Sequence, residues 1–260
     1  MTVPVIVAAA TPSSGSGEPL LLGPSLGTTT AVWDRAVGAL AAQHPVLRWD
    51  LPGHGASPAA SGPFTMAELA AGVLAAADAA GLGRFAAAGV SLGGVASLQL
   101  ALDAPDRVSS VTLVCSLPRI GSAEAWTQRA ADVRGMGTPS LVTGSASRWF
   151  TPEFREQEPD LVGRLLNGLM DVDDESYARC VEALRDTDLR DRVGELAMPF
   201  ALYAGEEDSV IPLDDARTAV DAARRGTLHV EPGSSHLGSV DHPDAVAALV
   251  TATAREGAAA

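Results

Sequence analysis

The stretch Phe85-Ala86-Ala87-Ala88-Gly89-Val90-Ser91-Leu92-Gly93-Gly94 decides how this chain is read. Its first half is a continuous apolar run of strand length, the pattern of a strand buried on both faces. Its second half opens a segment, Leu92–Asp103, that carries Val95, Leu98 and Leu102 at spacings of three and four. That spacing predicts a helix, and Pro105 ends it. Ser91 therefore sits on a strand-to-helix junction, with glycines two residues before and two after it. The pattern Gly-x-Ser-x-Gly in this setting marks a strained turn that lifts a serine Oγ clear of a sheet, small neighbours preventing collisions between crowded backbones. The helix N-terminus adds a favourable field for negative charge developing beside the serine.

The pentapeptide alone proves little, because the chain contains it twice. Gly23-Pro24-Ser25-Leu26-Gly27 has the same pattern but runs into Thr28-Thr29-Thr30, a loop before the next helix. Ser91 is thus the candidate nucleophile, and the Ser25 segment takes a different part. An oxyanion needs two backbone N–H donors, one from the residue after the nucleophile and one from the loop after an early strand. Leu92 and Leu26 are the candidates.

Such a serine needs a base and an acid downstream, in the order Ser, Asp or Glu, His. The apolar run Phe200–Ala204 ends in Gly205-Glu206-Glu207-Asp208, and a carboxylate just past the end of a parallel strand lies where such sheets place their chemistry. The Gly-x-x-Asp spacing before Val210-Ile211-Pro212 favours Asp208. Among the five histidines, His44 and His54 precede Ser91 and break the order. His229 falls within a strand, and His242, before Pro243, reads as a helix-start residue. His236, in Gly233-Ser234-Ser235-His236, follows the last strand on a loop and is the candidate base.

Further strands are expected at Val3–Ala9, Pro19–Leu22, Val46–Asp50, Ser110–Cys115 and Thr227–Val230, with helices at Thr30–Gln43 and Thr65–Ala80. Strands alternating with helices predict an α/β fold with a mostly parallel sheet flanked by helices. Between Cys115 and Phe200 lie about 85 residues without a strand pattern, too long for a structureless loop in a compact domain. Apolar positions recur at helical spacing in Asp160–Met170 and Tyr177–Leu184. Residues 119–190 are therefore expected to form a helical cap inserted into a core made of residues 1–118 and 191–260.

Composition narrows the function. The chain has 260 residues and a net charge of −14; all of its basic residues are arginines. A lysine Schiff base is excluded, and nucleic acid is a poor partner for so acidic a chain. An anionic substrate would need a local arginine to offset the repulsion. Two cysteines, Cys115 and Cys180, have neither metal-ligand spacing nor a disulfide framework, which fits buried thiols in a reducing cytoplasm. The N-terminal segment lacks the basic residues of a secretory signal, and no uncharged apolar run is long enough to cross a membrane. No metal or cofactor is expected. Self-association into a homo-oligomer is left open.

Taken together, these pieces resemble the α/β-hydrolase superfamily over nearly the whole length. They are similar in particular to the 3-oxoadipate enol-lactonases of the β-ketoadipate pathway of aromatic-compound catabolism. The matching stretches are Ser25-Leu26-Gly27-Thr28 with Trp33-Asp34, Trp49-Asp50-Leu51-Pro52-Gly53-His54-Gly55-Ala56-Ser57, and Gly89–Gly94. Arg119-Ile120-Gly121 with Trp126, Arg148-Trp149-Phe150-Thr151-Pro152, and Ser235-His236 with Pro243 complete them. The resemblance implies hydrolysis of a small enol-lactone bearing a side-chain carboxylate, through an acyl-serine and without a cofactor. It makes Arg119 the candidate for that carboxylate, with Trp126 and Trp149 shaping the pocket. A general carboxylesterase or a cofactor-free perhydrolase would use the same triad. A non-catalytic hydrolase-fold binding protein would lack a triad member, and none is missing.

Overall fold

A computed structural model describes residues 2–259. The strand Phe85–Val90 (β4) lies at the centre of a seven-stranded sheet of order β1-β3-β2-β4-β5-β6-β7. The other strands are β1 (Ala8–Thr11), β2 (Leu20–Gly23), β3 (Val46–Trp49), β5 (Val108–Val114), β6 (Phe200–Gly205) and β7 (Gly226–Glu231). Every pairing is parallel except that of β1 with β3. The α/β class with a mainly parallel sheet, expected from the alternating pattern, is what forms. All residues of β2, β4, β5 and β6 are buried, as continuous apolar strands covered on both faces must be.

The helices of the sheet layers are α1 (Val37–Ala41), α2 (Met66–Ala79) and α3 (Leu92–Asp103). Thr65 caps α2 in a reciprocal capping box with Glu68, which satisfies two otherwise unpaired amides at the helix start. Five helices occupy the stretch between β5 and β6: α4 (Ala123–Met136), α5 (Val142–Trp149), α6 (Pro152–Gln157), α7 (Pro159–Met170) and α8 (Asp174–Arg185). After β6 come α9 (Leu213–Ala222), α10 (Gly238–Asp241) and α11 (Pro243–Ala258).

Two expectations are corrected. The first strand starts at Ala8 rather than Val3. Pro4 lacks an N–H, and β3 offers β1 partners only over Val46–Trp49, so the preceding residues run beyond the ladder. There Pro4 and Ile6 face inward while Val3 and Val5 stay exposed, and the Pro4 carbonyl lies where a Cβ on Gly72 would stand. The expected helix Thr30–Gln43 is instead a 3₁₀ turn, Thr30–Trp33, followed by the short α1. The Thr30 carbonyl, which a longer helix would pair with Asp34 N, accepts instead from Arg48 Nη1 at 3.1 Å, while Asp34 N bonds Ala31 O at 3.0 Å, so the segment closes as a tighter turn.

Because the strands from β2 onward run parallel, their carboxyl ends share one edge. That edge carries the loops holding Leu26, His54, Ser91, Asp208 and His236.

Leu21 of β2 has no solvent exposure and sits between β3 and β4 in the register. Leu21→Ala should cost about 2–5 kcal/mol, read as a lower urea midpoint at unchanged slope. A loss under 1 kcal/mol would show that this part of the core can collapse around the gap.

Candidate active site

Ser91 adopts φ 51°, ψ −117°, a left-handed conformation that costs a non-glycine residue on the order of 1–3 kcal/mol. The neighbourhood leaves it little choice. Its N–H donates to Val114 O at 2.9 Å, and its carbonyl accepts from Ser116 Oγ at 2.7 Å and Gly94 N at 2.9 Å. A Cβ on Gly89 would meet the Gly93 carbonyl carbon at 2.1 Å, and one on Gly93 would meet Pro24 O at 2.5 Å. These two glycines flank Ser91 because backbone fills the space a side chain would need.

Asp208 and His236 meet from separate loops. The Asp208 side chain is fully buried, and its Oδ2 lies 2.9 Å from His236 Nδ1. Its Oδ1 accepts Val210 N at 2.8 Å and Ile211 N at 3.2 Å, so both carboxyl oxygens are held. Glu206 and Glu207 are exposed. The histidine loop is pinned on several sides. Ser235 N donates to Asp241 Oδ2 at 2.7 Å, and Leu237 N and Ser235 Oγ both donate to the Trp149 carbonyl. With Nδ1 on the aspartate, Nε2 is the nitrogen left to act on a neighbour.

Ser91 and His236 line one narrow cavity of about 90 Å³ together with Ser25, Leu26, Trp126, Arg129, Ser145, Arg148, Trp149, Tyr177 and Val210. Leu26 lies in a turn closed by Thr28 N to Ser25 O at 3.0 Å, and Pro24 O accepts the Gly93 N–H at 3.0 Å. Among the described residues, no acceptor is bonded to the Leu26 or Leu92 amide. Two free N–H donors beside a serine are what a developing oxyanion requires.

Trp126 and Trp149 line the same cavity as Ser91, and Arg119 does not. It pairs with Asp188 at 2.9 Å and lines a separate cavity of about 450 Å³ beside α9. The arginines beside Ser91 are Arg129 and Arg148. Arg129 contacts Tyr177 Oη at 3.4 Å and Arg148 contacts Ser145 Oγ at 3.2 Å. Among the described residues, neither has a carboxylate within ion-pair distance. Burial, and then the neighbouring Arg129 cation, lower the pKa of Arg148. The signal for both was helical spacing: Arg129 is one turn beyond Trp126, and Arg148 one turn beyond Ser145.

His54, set aside as breaking the triad order, is fully buried at this edge. Its Nε2 accepts the Gly27 N–H at 3.1 Å and its Nδ1 lies 2.9 Å from Pro52 O. Burial lowers its pKa to about 4. Both thiols are free and buried. Among the described residues no three His, Cys, Asp or Glu side chains converge as metal ligands would, and no helix is long and apolar enough to cross a membrane.

Sheet order, the strained serine and the Asp208–His236 pair together define a hydrolase architecture. The alpha/beta hydrolase family model matches residues 20–249, and the chain belongs to that family. It is similar to 3-oxoadipate enol-lactonase 2 of Acinetobacter baylyi, 32% identical with 87% of this chain and 84% of that protein covered. It is also similar to the pimeloyl-[acyl-carrier protein] methyl ester esterase of Aliivibrio salmonicida, 30% identical over 89% and 90% of the two chains. Among solved structures, the enol-lactonase from Burkholderia xenovorans LB400 superposes with TM-score 0.91, at 31% identity and 96% coverage of each chain.

The depressed pKa of His54 has a consequence for stability. Between about pH 4 and 6.5 the unfolded chain binds a proton at His54 that the folded chain refuses. Stability from this group is therefore fully present above pH 6.5 and falls as pH drops towards 4. Relative to His54→Gln, the wild type should lose about 1.5 kcal/mol more between pH 6.5 and pH 5. Urea unfolding at the two pH values measures it, and parallel losses in both proteins would refute it.

Proposed function

We propose that this enzyme hydrolyses a small carboxylate-bearing enol-lactone, 3-oxoadipate enol-lactone to 3-oxoadipate, through an acyl intermediate on Ser91. The observation that carries the substrate reading is the pair Arg129 and Arg148. In a chain of net charge −14, two half-buried arginines without carboxylate partners border the same narrow cavity as Ser91. Two unneutralised cations side by side are costly unless an anion joins them. Support for the reaction comes from the enol-lactonase relatives in sequence and in structure.

In this mechanism His236 removes the Ser91 proton as Oγ attacks the lactone carbonyl carbon. The amides of Leu26 and Leu92 receive the oxyanion. Collapse of the tetrahedral intermediate breaks the ring C–O bond, and the enolate oxygen takes the proton from His236. The enol relaxes to the ketone while the acyl group stays on Ser91. Water, deprotonated by His236, then attacks the ester, and the second collapse frees the carboxylate and returns the proton to Ser91 Oγ. Asp208 holds the imidazole in the required tautomer and stabilises its cation. The five helices α4–α8 act as a cap that supplies the arginines and tryptophans and narrows access to water.

A carboxylesterase with the same machinery is the second reading, favoured by the similarity to the methyl ester esterase. The enol-lactone loses ultraviolet absorbance when it opens, so one assay measures lactone turnover and a neutral aryl ester measures the alternative. Efficient ester hydrolysis with no lactone turnover would sink the lactonase reading. Ser91→Ala should lower kcat by about 10⁴-fold or more on either substrate and abolish fluorophosphonate labelling, while Ser25→Ala keeps the label.

Arg148→Met and Arg129→Met should each raise KM for the lactone about 10- to 100-fold, the worth of one charged hydrogen bond. KM for the neutral ester should stay within a few-fold. Equal effects on both substrates would mean that the arginines shape the cavity and do not hold an anion.

A further inference from the structure

We infer that His54 is a positioning residue for oxyanion stabilisation: its Nε2, by accepting the Gly27 N–H, locks the turn that aims the Leu26 amide at the reaction centre. This deepens the proposal above and rests on its reading of Leu26 as a donor.

The argument starts from peptide planes, each of which moves as a rigid unit. The plane joining Ser25 to Leu26 carries the Ser25 carbonyl on one side and the Leu26 N–H on the other. Thr28 N at 3.0 Å and Thr28 Oγ1 at 2.8 Å both donate to that carbonyl. The carbonyl is drawn into the turn, so the Leu26 N–H points out of it. The next plane, joining Leu26 to Gly27, is free to flip in an isolated turn of this kind. Gly27 has φ +79°, the value of the third residue of a type II turn, and a flip of the central plane would convert the turn to type I. The bond from Gly27 N–H to His54 Nε2 at 3.1 Å holds that plane in one orientation. Both planes flanking the Leu26 Cα are then fixed before substrate arrives, which is the preorganisation that makes an oxyanion donor effective.

The chemistry of the ring is suited to this. The Pro52 carbonyl can only accept, so the proton is on Nδ1; the Gly27 amide can only donate, so Nε2 is bare. One neutral tautomer satisfies both, and complete burial disfavours the cation.

The turn carrying His54 is itself anchored to α8. Asp173 N donates to Gly53 O at 3.0 Å, and Ala60 N donates to Ser176 Oγ at 2.9 Å. The His54 ring stacks on Tyr177 at 6.2 Å between centroids, and Tyr177 contacts Arg129. A chain of contacts therefore runs from a cation of the cavity to the oxyanion loop.

The test compares His54→Phe, His54→Asn and His54→Gln. Phe keeps the ring volume, Asn replaces only the Nδ1 side, and Gln places an acceptor near the Nε2 position. With a neutral aryl ester, Phe and Asn should lower kcat about tenfold or more, with KM within about threefold of wild type. Gln should restore most of the loss. Affinity for a trifluoromethyl ketone, which forms an oxyanion on Ser91, should fall in parallel with kcat, rates being normalised to sites titrated with fluorophosphonate. Should Phe fail to fold, the Asn–Gln comparison carries the test.

Wild-type kcat in Phe or Asn, equal losses in Asn and Gln, or a rise in KM alone would overturn the inference. Ser91→Ala separates the two levels. If it keeps turning over ester, the triad reading fails and this inference fails with it. If it is dead while His54→Asn is normal, only the role of His54 is lost.

Discussion

The site depends on one close approach of backbone to backbone. Gly93, the second residue of α3, lies against Gly23 and Pro24 so tightly that its N–H bonds the Pro24 carbonyl at 3.0 Å. Gly89 closes on Gly93 from the other side. The strained turn at Ser91 and the loop bearing Leu26 thus belong to one rigid body, although 65 positions separate the two residues in the chain. Strain at Ser91 persists because surrounding strands over-determine it. Gly23 and Gly93, one from each copy of the pentapeptide, face each other across this seam, while Gly27 packs against Leu169.

A second constraint is electrostatic. Other arginines have carboxylate partners, and pairs such as Arg134 with Glu175 and Glu182 form in solvent and contribute little. Arg129 and Arg148 differ in environment rather than in kind, being drawn into the cavity without a carboxylate. In an acidic chain the long-range field repels an anion, and a pair of cations lining the same cavity as Ser91 opposes that field locally. Under the proposed function, selectivity arises at contact rather than during approach.

The proposed triad and the Leu26 loop were legible because strand order places them. Ser91, Asp208 and His236 each follow the carboxyl end of an expected strand, chain order removes His44 and His54, and the strand and helix-start settings of His229 and His242 remove the other two. The substrate side was less legible. Arg119 was chosen for its place at the entrance to the helical excursion, but Asp188, distant in sequence, pairs with it at 2.9 Å while also pairing with Arg190. Which face of α4 and α5 points at the sheet depends on how five helices pack, and that is a property of tertiary contacts. Helical spacing from Trp126 and Ser145 could have narrowed the choice without deciding it. Likewise the first strand could not be delimited from its own apolar pattern, because its length is set by the partner residues of β3.

His54 shows what ordering rules discard. Its place before Ser91 disqualifies it as the base, and a histidine in a glycine-rich turn reads as a loop residue. Burial changes its meaning. A fully enclosed imidazole must place both nitrogens or incur the cost of an unpaired polar group, and the two partners present dictate a single neutral tautomer. A protonated ring would turn Nε2 from acceptor to donor and leave two N–H groups facing each other at the Gly27 contact. Retaining a titratable ring at a position that tolerates only one of its states is hard to explain by packing alone, since phenylalanine would fill the volume without that liability. What phenylalanine cannot do is hold the Gly27 amide, and through it the plane next to Leu26.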